Sequence, residues 1–151
     1  MPPEFTESET ELSHEACEEI LRDRGTGVLS LASGDEAYAV PISFGYAGET
    51  ETVYVSFLGY SADSEKVAFA EDTSRASLVT YDVRGKFDWT SVVVRGPIRE
   101  IDDDEWDGLV DAIEDNAWYP SLFSTSDPQG KLRGFALTVE ELSGLEDDSG
   151  A

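Results

Sequence analysis

The sequence is poor in the residues that most often bind metals and phosphates. It holds one cysteine, Cys17, and one histidine, His14, in 151 residues. An intrachain disulfide, a zinc ribbon and a His-rich metal centre are therefore excluded, and no metal site is expected. Cations are scarce: seven Arg and three Lys stand against 33 Asp plus Glu, a formal net charge of −23. Nucleic-acid backbones and acidic lipid surfaces would both be repelled. No apolar run approaches the roughly 20 residues that cross a bilayer. No charged-then-apolar leader opens the sequence, which reads as lacking a signal peptide and as cytoplasmic. The phosphate loops GxGxxG and GxxxxGK[ST] are missing, and so is a GxSxG elbow.

What is present suits one folded domain. Hydrophobic residues make up 40% and aromatics 11%, enough for a core at this length. The acidic residues are spread along the whole chain instead of forming one tail. An acidic, Lys-poor surface on an ordinary core reads as adapted to high salt. At about 1 M salt the Debye length is near 3 Å, which screens surface self-repulsion.

Patterning then sets the order of elements. Residues 1–11 are polar and acidic and read as frayed. Leu12 and Ser13 look like N′ and N-cap of a helix over 13–24, with Leu12 placed to staple onto Cys17 and Gly25 as the stop. TGVLSLAS reads as a strand, and AYAVPISFGY as a second. Pro41 inside it cannot donate a ladder hydrogen bond, so it marks an edge, a bulge or a place where a ligand nears the backbone. TVYVSF is a third strand. A second helix is expected over 61–72, capped by Ser61, Asp63 or Ser64. Two strands follow, 76–83 and 87–101, the second bent at Gly96-Pro97. A third helix over 102–116 carries Trp106, Leu109, Val110 and Ile113 on one face. The last strand is expected over 132–139, and the tail after Leu145 reads as acidic and loose. Strands outnumber helices and hairpin-length turns are frequent. The pattern predicts a mainly β (α+β) fold, a closed or partly closed antiparallel barrel with helices packed outside.

Few residues invite chemistry. His14, with Ser13 and Glu15 as its local neighbours, reads as a solvated first-turn residue. Cys17 reads as a small buried hydrophobe. The run Asp102–Glu105 lacks calcium-loop spacing and reads as acids favoured at a helix N-terminus. One place stands out: Ser61, Ser64 and Lys66 lie where a strand and the Gly59 loop enter a helix. Hydroxyls, free backbone N–H groups and a lysine there compose an anion site. The competing reading pairs Lys66 with Glu65 or Glu71 on the surface. Arg84, Lys86 and Arg95 are further candidates for an anionic ligand.

Together, VLSLAS, YAVPISFGY, VYVSFLGYSADSEKVAFAEDTSRASLVTYD and WTSVVVRGPIREI resemble the FMN-binding split-barrel family, which includes the pyridoxamine 5′-phosphate oxidases. The resemblance covers residues 12–142. It implies a split β-barrel of largely antiparallel Greek-key type, flanked by the acidic N-terminus 1–11 and the tail 143–151. It also implies a homodimer with FMN at the subunit interface. Flavin would lie against Val40, Pro41, Ile42 and Ser43. Val55, Ser56 and Phe57 would contact the ribityl chain and ring, and Lys66, with Ser61 and Ser64, the phosphate. Ser91 would face the cofactor, beside an aromatic wall that includes Trp89; Trp118 and Phe123 would close the site from the partner. Glu65 departs from the paired cations of many relatives, and the substrate-binding basic residues of true pyridoxamine phosphate oxidases have no match.

The resemblance thus implies a small oxidoreductase transferring electrons at flavin N5 to or from an unknown substrate. The alternatives are a non-catalytic flavin-binding or dimerisation module, or the same barrel using deazaflavin or haem.

Overall fold

The computed structural model describes residues 9–58, 65–116 and 132–149. Its elements run β1 (Thr10–Glu11), α1 (His14–Arg24), β2 (Thr26–Ser33), β3 (Glu36–Ala47) and β4 (Thr52–Leu58). They continue with α2 (Glu65–Asp72), β5 (Arg75–Gly85), β6 (Asp88–Glu100), α3 (Trp106–Asn116), β7 (Leu132–Thr138) and β8 (Glu141–Asp147). A 3-10 turn, Asp103–Glu105, leads into α3.

The sheet runs β1-β8-β6-β5-β2-β3-β4-β7, and β7 also pairs with β6. That last pairing joins six strands, β6-β5-β2-β3-β4-β7, into a closed ring with every ladder antiparallel. Gly96-Pro97 is where β6 changes partner: Trp89 to Arg95 pair with β8, and Ile98 to Glu100 pair with β7. The change requires glycine, since a Cβ at position 96 would overlap the Thr138 carbonyl oxygen. Proline is tolerated beside it because its missing N–H falls at the hand-over.

The ring is also split. The β3–β4 ladder covers only Phe44↔Val55 to Ala47↔Thr52. Residues 36–43 of β3 therefore have β2 on one side and no ladder partner on the other. Pro41, paired with Val28, stands in that half-paired stretch, where its missing N–H costs no ladder bond.

One core fills the ring. Leu29, Phe44, Val53, Val55, Leu78, Val92, Val94, Phe135 and Leu137 are fully buried. α1 adds Cys17 and Leu21 to this cluster, and α2 adds Val67 and Ala70. α3 packs elsewhere, with Leu109 and Ile113 against Tyr54 and Ala136. It lies so close to β3 that a Cβ on Gly45 would overlap the Ala112 main chain.

α1 matches its expected form. Ser13 caps it, its Oγ accepting from the Ala16 N–H at 3.1 Å, and Gly25 ends it in the left-handed region. Two expectations at the termini are corrected. Residues 10–11 pair with Glu146 and Leu145 as a short strand instead of fraying. The tail expected over 143–151 is also not loose at its start: β8 runs from Glu141 to Asp147, in a full ladder with β6. The signal was masked because one inward position of β8 is Gly144. A Cβ there would crowd Cys17 Sγ and Leu12, so α1 supplies the apolar cover that the strand itself lacks.

Candidate functional site

α1 leads into the start of β2, and α2 is tied to its end. The Thr73 hydroxyl, just past α2, accepts from the Ala32 N–H at 3.0 Å and lies 2.6 Å from the Phe69 carbonyl, to which it donates. Ser33 bonds Asp72, and Tyr38 stacks on Phe69 at 5.0 Å. The two helices thus flank opposite ends of the same strand.

Alternation along the strands turns a second face away from the core. Ladder pairs align Ser143, Val93, Val79, Val28 and Pro41 in one row across β8, β6, β5, β2 and β3. Leu145, Ser91 and Tyr81 form the next row. The helix packing above leaves this face bare among the described residues, and Tyr81 is 55% exposed.

At the α1 end of that face lies a cleft of about 510 Å³, lined by Arg24, Thr26, Val28, Pro41, Ile42, Ser43 and Tyr81. The volume is in the range of small-molecule sites. Its wall is mixed: Pro41, Val28 and Ile42 are apolar, while Thr26, Ser43 and Tyr81 bring hydroxyls. Arg24 stands 3.7 Å from Asp82 at its rim. Beneath it the buried Thr80 hydroxyl donates to the Thr26 carbonyl at 2.7 Å, fixing β2 against β5.

The expected site residues other than Lys66 divide into five groups. Pro41, Ile42 and Ser43 line the cleft. Ser91 is the ladder partner of Tyr81, one strand further across, and Trp89 shares its face two residues on. Val40, Val55 and Phe57 are core residues; Phe57 packs on Phe135 at 5.6 Å, so these side chains are spent on the interior. Ser56 lies past the last β3–β4 pair, and its Oγ is buried without a hydrogen-bond partner among the described residues. Ser61, Ser64, Trp118 and Phe123 lie outside the described residues.

Lys66 sits exposed in the first turn of α2, at the opposite end of β2 from the cleft. All seven arginines have carboxylates within 4.0 Å. Lys66 has none among the described residues, and Glu71 pairs instead with Arg133 at 3.1 Å. Of the further candidate cations, Arg84 is held by Asp82 and Asp88, Arg95 by Glu141, and Lys86 lies over the Phe87 ring.

Sequence reading missed two features here. Tyr81 carries no signal of its own in the sequence; only the strand pairing places it over the cleft. His14 looked isolated, yet its Nε2 lies 3.3 Å from Glu51 Oε1 and 3.6 Å from Glu18 Oε1. Glu51 is 37 residues away and no local pattern announces it.

The sequence profile of the pyridoxamine 5′-phosphate oxidase family matches residues 13–146. The chain belongs to that family. No curated protein matches. Among solved structures, an FAD-binding protein from Mesorhizobium loti is 22% identical, with a TM-score of 0.71 over 91% of this chain and 97% of that one. An FAD and haem binding protein from Mycobacterium smegmatis is 18% identical, with a TM-score of 0.71 over 94% of this chain and 74% of that one. HutZ, a haem storage protein from Vibrio cholerae, is 12% identical, with a TM-score of 0.67 over 89% and 93%. These likenesses establish the shared split-barrel fold.

Proposed function

We propose that this chain binds FMN and works as a small flavin-dependent oxidoreductase on a substrate yet to be identified. The observation that carries the reading is the cleft beside Pro41, Ile42 and Ser43, open on a sheet face that no described helix covers. Its apolar and hydroxyl wall fits a flat, polar-edged ring. The main chain of Val40–Ser43 holds the ring, the Ser91 hydroxyl orients its edge, and Ser56 offers to the ribityl chain an Oγ that has no partner among the described residues. Lys66, without a carboxylate partner among the described residues, holds the phosphate with the α2 N-terminus; because it stands at the opposite end of β2 from the cleft, it does so for a flavin bound across the subunit interface, where ring and phosphate meet different copies. Bound flavin supplies two-electron transfer at N5; the chain binds, orients and excludes water.

The chain acts as a homodimer through the bare face. Its central row, Val28, Val79 and Val93, is apolar, and hydroxyls of Ser30, Ser77, Ser91 and Ser143 surround it. A second copy there would wall the cleft from water.

Relatives whose structures bind haem make that cofactor the second reading. The sole imidazole argues against it. His14 starts α1 and Arg24 at the cleft ends it, about 15 Å apart at helical rise.

The spectrum and mass of the small molecule that co-purifies test the proposal. Flavin absorbance and the mass of FMN are expected; a Soret band, or a deazaflavin mass, would replace the reading.

A further inference from the structure

Away from the cleft, three ligand-type side chains converge from two elements. His14 opens α1, and Glu18 follows one turn later on the same face. Glu51 comes from the turn that joins β3 to β4. Its main chain is pinned there, with its carbonyl accepting from the Val139 N–H at 3.0 Å. His14 Nε2 and one carboxylate oxygen of each glutamate all lie within 4.8 Å of one another.

We propose that His14, Glu18 and Glu51 bind one divalent cation of the zinc class, which clasps α1 to the β3–β4 hairpin. Spacing supports it. Ligand bonds of about 2.1 Å at tetrahedral angles put donor atoms about 3.4 Å apart. The two separations from Nε2 are 3.3 and 3.6 Å. Hydrogen bonding alone leaves the cluster unbalanced: one ring nitrogen donates a single proton, yet two carboxylate oxygens face it. A cation between the three serves both. The donor set of one imidazole and two carboxylates suits zinc and its neighbours, with a fourth position left for water.

Glu18 is also held in the orientation a ligand needs. The Tyr46 hydroxyl donates to its Oε2 at 2.6 Å, and Arg22 Nη2 lies 3.8 Å from the same oxygen. Oε1 is the atom left turned toward His14. Such outer contacts fix ligands and tune affinity. The positive Arg22 opposes the cation, so binding is weaker than at an all-acidic site. The His14 and Glu51 side chains are 55% and 48% exposed, which gives the ion a path in.

Zinc chloride titrated into the full-length chain at molar KCl, in a non-chelating buffer, tests the site. Calorimetry gives the stoichiometry. The ring resonances of His14, the sole histidine, give the place. The expected result is one Zn²⁺ per chain, with those resonances shifting in step. His14→Ala and Glu51→Gln should each weaken binding at least tenfold. The double variant Asp111→Asn, Asp115→Asn, on α3, should bind as the parent does. Saturation without movement of the imidazole would overturn the proposal. So would equal weakening by the α3 variant, or diffuse binding that never saturates; each assigns the ion to the acidic surface at large.

Discussion

Arg133 holds the Glu71 carboxylate at 3.1 Å, and Lys66, five residues before that glutamate on α2, is left without an ion pair among the described residues. In a chain with 33 acidic residues and ten cations, an unengaged lysine at a helix start is a specific arrangement. A phosphate would find there both a charge and backbone donors.

The first prediction follows from it. Lys66→Glu should weaken FMN binding at low salt at least tenfold, since a charge-assisted hydrogen bond contributes about 1.5–3 kcal/mol. Lys131→Glu, the same change of charge at a lysine assigned no part in the site, should change it little. Fluorescence titration compares the two, and equal affinities would remove Lys66 from the site.

The bare face carries the second. Val93→Asp puts a charge in the middle of its apolar row while leaving the core side of β6, Val92 and Val94, intact. Light scattering should show monomers where the parent is a dimer, with cooperative unfolding preserved and FMN affinity reduced. A parent already monomeric at molar salt would contradict the interface.

The third concerns the ring itself. Gly96→Ala forces a methyl onto the Thr138 carbonyl at the point where β6 passes from β8 to β7. A loss of about 2–4 kcal/mol is expected in denaturant melts, at the upper end of overpacking costs. Gly85→Ala, whose Cβ would meet nothing closer than 3.8 Å, serves as the comparison and should be near neutral.

The sequence showed most of this architecture for physical reasons that can be named. The strands 26–33 and 88–100 alternate buried and more exposed residues along much of their length, and 52–57 is dense in β-branched and aromatic residues, so all three were legible. Pro41 flagged the half-paired stretch of β3 correctly, because a missing donor is a local property. β8 was invisible since its buried positions are Gly144 and Asp147, and their cover comes from α1. The closing β6–β7 ladder, the placing of Tyr81 beside Pro41 and Ser43 at the cleft and the approach of Glu51 to His14 are long-range. Each depends on where a remote strand lands, which no local pattern encodes.

Acid and salt provide the fourth prediction. The Arg133 guanidinium holds the Glu100 carboxyl below its usual range, and Arg99 does the same for Glu105. A carboxylate with a lowered folded-state pKa adds stability above its unfolded value, about 4.5, and that contribution is lost as pH falls through the folded value. At molar salt, where self-repulsion of the −23 surface is screened, stability should therefore drop once the pH passes below about 4.5. Arg133→Met should flatten that limb. At neutral pH the denaturation midpoint should rise between 10 mM and 1 M KCl, as the Debye length shrinks from about 30 to 3 Å. A midpoint insensitive to salt would show that the acidic surface is not under strain.

The most direct test of the account is a titration of FMN with the purified chain at molar KCl, followed by flavin fluorescence. Saturable quenching at one FMN per chain, with a structured absorbance band, is the predicted result. Fluorescence that stays unchanged through an excess of folded protein would contradict the central claim.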